Sequence, residues 1–119
     1  MRPGTDKLLA KAERAGQIAA AALAAGAPEV AAGRAFYAML NAAKALLNER
    51  GLRLRTHARI AAALAGLGPA GEPLHEWLAS AIARRRSSES GELTYDEAAE
   101  LLEHARGALS AARARIDAS

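Results

Sequence analysis

Residues 28–51, PEVAAGRAFYAMLNAAKALLNERG, decide the fold. Pro28 suits the first turn of a helix, where its missing amide would have had no partner. Glu29 beside it favours the positive end of the helix dipole. The run then continues in helix-forming residues to Arg50 and stops at Gly51, so one helix of about 22 residues, roughly 33 Å long, is expected here.

Working outward, Thr5 and Asp6 can cap a first helix that reaches about Ala25 and is stopped by Gly26-Ala27-Pro28. Downstream, Thr56 can cap a short third helix through Leu64, closed by Gly66-Leu67-Gly68-Pro69 and Gly71. Pro73 starts a fourth, with an apolar stripe of Leu74, Trp77, Leu78, Ala81 and Ile82. It dissolves in the polar run from Arg84 to Gly91. Thr94-Tyr95-Asp96-Glu97 fits a capping box. Behind it Tyr95, Ala98, Leu102, Ala105, Leu109, Ala112 and Ile116 form a seam suited to packing on one or two long helices.

Composition agrees. The 119 residues include 34 alanines, while residues branched at Cβ are confined to one Val, four Ile and three Thr. An all-β fold is thereby effectively excluded. The expected architecture is all-α, a single domain over residues 1–119. Short loops make it an antiparallel up-down bundle of four main helices plus one short helix. An Ala-lined core is thin, so a homodimer that buries further helix surface is expected. The absence of Cys removes disulfides, thiolate catalysis and Cys-ligated metals.

The chain carries 13 Arg against 3 Lys and a net charge of +3. Arg matches phosphate and carboxylate geometry better than Lys does, but a GC-rich coding sequence gives the same bias, and +3 does not by itself announce nucleic-acid binding. Residues 18–25 resemble the apolar part of a signal peptide. Lys11, Glu13 and Arg14 precede them within the same helical pattern, which argues against that reading. No run approaches the roughly 20 apolar residues of a membrane span, and a cytoplasmic protein is expected.

Residues 32–57 contain Gly33-Arg34-Ala35-Phe36-Tyr37-Ala38-Met39-Leu40, then Ala42-Ala43-Lys44-Ala45-Leu46-Leu47, Gly51-Leu52 and Thr56-His57. This resembles the HEPN (higher eukaryotes and prokaryotes nucleotide-binding) superfamily, and specifically a small prokaryotic branch of it. The resemblance implies a bundle of four to five helices, usually homodimeric, often working beside a minimal nucleotidyltransferase in toxin–antitoxin-type pairs. Many relatives are metal-independent ribonucleases that use an Arg and a His separated by four to six intervening residues at a late helix. Here the matching stretch is Arg85-Arg86-Ser87-Ser88-Glu89-Ser90, with no His until His104. Arg50 and His57 meet the spacing by count but lie between the second and third helices.

Read on the residues alone, alternating helices would gather Arg50, Arg53, Arg55, His57 and Arg59 near Arg84, Arg85 and Arg86 at one pole. That pole suits a nucleotide, an RNA strand or an acidic partner face. Equally, arginines at helix C-termini offset the dipole and solvate loops. Arg34 and Tyr37, with Asn41 one turn later, either line a cleft between protomers or are structural, Tyr37 packing as core and Arg34 pairing with Glu29 or an acid of the last helix. Phe36 and Met39 are expected in the core or a dimer face. Glu100 and His104 share a helical face, but a solvated face explains them better than a metal site, and no cofactor is expected.

Three functions follow. The leading expectation is a non-catalytic nucleotide- or RNA-binding subunit partnered with a minimal nucleotidyltransferase, using Arg34, Tyr37, Arg53, Arg55, His57, Arg59 and Arg84–Arg86. The alternatives are a metal-independent ribonuclease toxin, with His57 and Arg50 as candidate catalytic residues, and a structural interaction bundle without a ligand.

Overall fold

A computed structural model describes residues 1–87 and 93–118, and for residues 85–87 it describes the backbone alone. The elements among the described residues are all helical: α1 (Thr5–Ala24), α2 (Pro28–Glu49), α3 (His57–Gly66), α4 (Leu74–Ser87) and α5 (Tyr95–Asp117), with a 3-10 turn at Gly68–Gly71 before α4. The expected fourth and fifth helices are present. The polar connection over residues 88–92 lies outside the described residues.

Local chemistry explains most boundaries. Pro28 occupies the first turn of α2. At its end, the Leu52 amide donates to the Leu47 carbonyl and the Gly51 amide to Asn48, both at about the length of ordinary helical bonds (2.9 and 3.0 Å). This is a Schellman closure, and it places Gly51 at φ 83°, where a side chain would be strained. Thr56 caps α3 by accepting from the Arg59 amide at 3.2 Å. Thr94 and Glu97 complete the capping box of α5, the Glu97 amide donating to Thr94 Oγ1 at 3.1 Å.

Two expectations are corrected. Thr5 does not cap α1. Gly4 occupies that position without a side-chain acceptor, and Thr5 is fully buried inside the first turn. Its hydroxyl accepts from Asn48 on α2 rather than from its own helix, because that amide is buried and needs the partner. Tyr95 is 55% exposed and does not belong to the α5 seam. Leu101 and Ala108 are buried in addition to Ala98, Leu102, Ala105, Ala112 and Ile116, so the apolar face is broader than a narrow a/d seam.

Helix α2 is the centre of the molecule, packed against α1, α3, α4 and α5. From Ala38 to Asn48 every residue except Lys44 is buried. Asn48 meets Pro3 and Thr5, so α1 runs opposite to α2. Arg113 pairs with Glu13 at 2.7 Å, and Ala105, Arg106 and Leu109 border the same groove as Gly16, Gln17 and Ala20, so α5 runs opposite to α1. Trp77 stacks on His104 and Arg84 reaches Glu100, which sets α4 against α5 in the reverse direction.

The turn before α4 is tight. A Cβ on Gly71 would collide with the Leu64 carbonyl oxygen, so only glycine permits this approach. Arg115 closes the corner from the end of α5, its Nη2 donating to the Glu72 carbonyl at 2.5 Å. No described helix is long and apolar enough to cross a membrane.

Candidate anion-binding site

The segment between α2 and α3 carries most of the expected basic residues. It does not cross to the next helix directly. Residues 51–56 double back along α2, and Leu54 is half-buried on the core as they do so. His57 therefore meets Phe36, ring edge to ring face, with centroids 5.2 Å apart. Arg50 follows the other end of α2, about 20 Å from Phe36 along the helix axis at 1.5 Å per residue.

This return path changes the expected cluster. Arg50, Arg53, Arg55, His57 and Arg59 are all exposed. They are strung along the α2–α3 segment rather than gathered at a point. Arg84 does not join Arg50: it pairs with Glu100 at 3.4 Å in the second turn of α5, at the opposite end of the molecule from Arg50. The single arginine pole is corrected accordingly. Alternating helix direction alone put the end of α4 beside the end of α2, and the doubled-back segment breaks that alternation at α3. The side chains of Arg85 and Arg86 lie outside the described residues.

The candidate stripe on α2 divides as well. Arg34 and Tyr37 are exposed, Tyr37 to 44%, so Tyr37 is not a core residue. Asn41 turns inward, 2% exposed, and donates to the Tyr37 carbonyl at 3.0 Å. Arg34 makes no ion pair with Glu29 or with α5 among the described residues. Phe36 and Met39 are buried, as expected for core. Glu100 is exposed and pairs with Arg84, while His104, half-buried, lies flat on Trp77 with centroids 5.1 Å apart and 10° between the planes. Among the described residues no cluster of His, Asp and Glu could hold a metal ion.

A concavity lies where α1, α2 and the return segment meet, a pocket of about 270 Å3. Its geometry follows from one register. Asn48 is 5% exposed; its Nδ2 donates to Thr5 Oγ1 at 2.9 Å and to the Pro3 carbonyl at 3.0 Å. Its Oδ1 accepts from Arg53 Nε at 3.2 Å. One amide thus joins the start of α1, the end of α2 and the return segment. One turn back along α2, Lys44 faces the stretch of α1 that carries Lys7 and Lys11 at i, i+4 spacing. Leu8, Leu47, Leu54 and Ile60 supply the apolar part of the lining.

All three lysines of the chain therefore border one pocket, together with Arg53, and no acidic residue lines it. Among the described residues none of the three lysines is within ion-pair distance of a carboxylate. Glu49, the nearest acid in sequence to Asn48, is occupied by the Arg2 amide at 2.6 Å and by Thr5. Four cations converging on a concave, partly apolar surface attract anions and hold them more firmly than scattered surface charges do.

Of these residues only Arg53 was a sequence candidate. The lysines carry a signal in the sequence: they are the three exceptions to an arginine-dominated basic composition. What joins Lys44 to Lys7 and Lys11 is helix register, which local pattern does not specify.

No protein-family model matches the chain, and no curated protein sequence matches it either.

Proposed function

We propose that the protein is a HEPN-like helical subunit that binds RNA or a nucleotide along the exposed α2–α3 segment, works without catalysis of its own, and pairs with a minimal nucleotidyltransferase in the cytoplasm. In this reading the four long helices act as an antiparallel up-down bundle with α3 as the short addition, and two copies associate. The observation that carries it is the run of Arg53, Arg55 and Arg59, solvent-exposed and without an ion pair among the described residues, bordering the lysine-lined pocket. Unneutralised cations in a line suit a phosphate backbone, whose binding is driven by counterion release.

The separation of Arg50 from His57 along α2 favours a binding role over ribonuclease chemistry, which needs both groups on one phosphodiester. Arg34 and Tyr37, exposed on the first half of α2 beside Val30, are assigned to the contact between copies.

Titration of single-stranded RNA across a salt series tests the reading. Affinity is expected to fall steeply with salt, and Arg55→Gln with Arg59→Gln to reduce the slope by about 1.4, at roughly 0.7 per phosphate contact. A slope indifferent to both substitutions removes RNA from this surface. Co-purification with a nucleotidyltransferase at mild salt tests the partner, and sedimentation of the wild type against Val30→Glu tests the pairing of copies.

A further inference from the structure

We infer that the pocket between α1, α2 and the α2–α3 segment binds a phosphomonoester attached to a compact apolar body. The inference does not rest on RNA binding along the exposed arginines. It rests on what lines the pocket.

Three features set the ligand's chemistry. First, the charge is cationic without compensation. Lys7 and Lys11 stand on one wall and Lys44 on the opposite one, with no carboxylate in the lining. Lysines are point charges with freely directed donors, and a terminal phosphate carries up to two negative charges and three acceptor oxygens, enough to engage all three. A carboxylate offers one charge and would leave a lysine unanswered.

Second, part of the accessible lining is apolar. Leu52 is 40% exposed and Leu8 and Leu54 are half-buried, backed by the buried Ile60 and Leu47. Inorganic phosphate would leave the surface of Leu8, Leu52 and Leu54 wet, whereas a ring or short hydrocarbon beside the phosphate would cover it. Third, the size is restrictive. About 270 Å3 lies just under the roughly 300–1,000 Å3 of ordinary ligand sites, room for one phosphate and one ring system but not for a dinucleotide.

Arg53 completes the site. Asn48 holds its Nε at 3.2 Å, which fixes the direction of the guanidinium and leaves both Nη groups without a described partner. A cation positioned before the ligand arrives loses less freedom on binding. Two sources share this chemistry, a free small phosphomonoester and the 5′-phosphate of a nucleic-acid strand whose terminal base covers the apolar lining.

Calorimetric titration with phenyl phosphate and with inorganic phosphate at low ionic strength is the test. Phenyl phosphate is expected to bind about tenfold more tightly than inorganic phosphate, from burial of its ring. Lys7→Gln, Lys11→Gln and Lys44→Gln are each expected to weaken phenyl phosphate about tenfold, the scale of a charge-assisted contact. Arg106→Gln, on the α1–α5 groove, changes the net charge equally and is expected to leave it unaltered. These surface substitutions leave the core intact, which circular dichroism verifies. Short RNAs with a 5′-phosphate or a 5′-hydroxyl distinguish the sources. A Lys44-dependent preference for the phosphorylated strand identifies the strand end, and equal RNA binding alongside Lys44-dependent phenyl phosphate identifies the free compound. Absence of phenyl phosphate binding at millimolar concentration, or binding that the three lysine variants share with wild type, overturns the inference. Loss of RNA affinity in Arg55→Gln and Arg59→Gln alone bears only on the preceding proposal.

Discussion

Asn48 and Thr5 are hydrogen-bonded across 43 residues of sequence, Nδ2 to Oγ1 at 2.9 Å, with both residues buried. The same amide donates to the Pro3 carbonyl and accepts from Arg53, so its hydrogen-bonding capacity is nearly filled by three partners from two separate stretches of chain. Such a group is worth little if both partners go together and much if one is stranded, because a buried donor without a partner loses its water and gains nothing.

Asn48→Leu is therefore expected to destabilise the protein by about 2–3 kcal/mol, stranding the Pro3 carbonyl and leaving the Thr5 hydroxyl with only its contact to Glu49. A thermal midpoint lowered by roughly 8–12 °C checks it, at about 4 °C per kcal/mol for a chain of this size. Phosphomonoester affinity is expected to fall in the same variant, since Arg53 loses its anchor.

Two glycines separate steric need from propensity. Gly71 faces the Leu64 carbonyl so closely that an added Cβ forces the backbone to shift, and Gly71→Ala is expected to cost about 2 kcal/mol or more. Gly33 sits exposed in α2 with nothing within 4 Å of an added Cβ, and Gly33→Ala is expected to stabilise by about 0.5–1 kcal/mol. Urea unfolding of both variants reads the opposite signs directly.

Trp77 is the only tryptophan and reports on the α4–α5 contact. Its ring would lie 2.7 Å from a Cβ on Gly107 while its face covers His104. Gly107→Ala is expected to push the indole outward, giving a red-shifted emission and a loss of about 1–3 kcal/mol. An unchanged emission spectrum would mean that the contact between the two helices is looser than described.

Arg50 and His57 are not positioned to act on one bond. Substituting either by Ala is expected to leave RNA intact at the wild-type rate in the presence of EDTA. Cleavage by the wild type that vanishes in His57→Ala would restore the enzymatic reading.

The helices themselves were legible because their ends are written locally. Thr56 and Thr94 cap as their neighbours suggest, Pro28 opens α2, and Gly51 closes it through bonds that span only six residues. The candidate site was legible only in part. The extended path of residues 51–56 depends on Leu54 finding the core, a long-range event, and that path carries His57 to Phe36 and away from Arg50. Thr5 looked like a cap because its neighbours fit one, yet a buried amide 43 residues away claims it. Tyr37 resembled core by residue type alone, but α3 begins beside Phe36 and leaves that face of α2 uncovered. The lysine pocket escaped for the same reason: its walls meet only once α1 is laid on α2.

Because α2 touches each of the other helices, removal of any outer helix exposes part of one shared interior. The consequence concerns how the molecule opens. The amides of residues 38–47 should exchange their hydrogens only when everything comes apart at once, while α4, with the slighter hold on its neighbours, can lift away first. A hierarchy of that kind would let the lysine-bearing walls of that corner keep their places during partial loosening, since Lys7, Lys11 and Lys44 stand on α1 and α2 and both belong to the last part to yield.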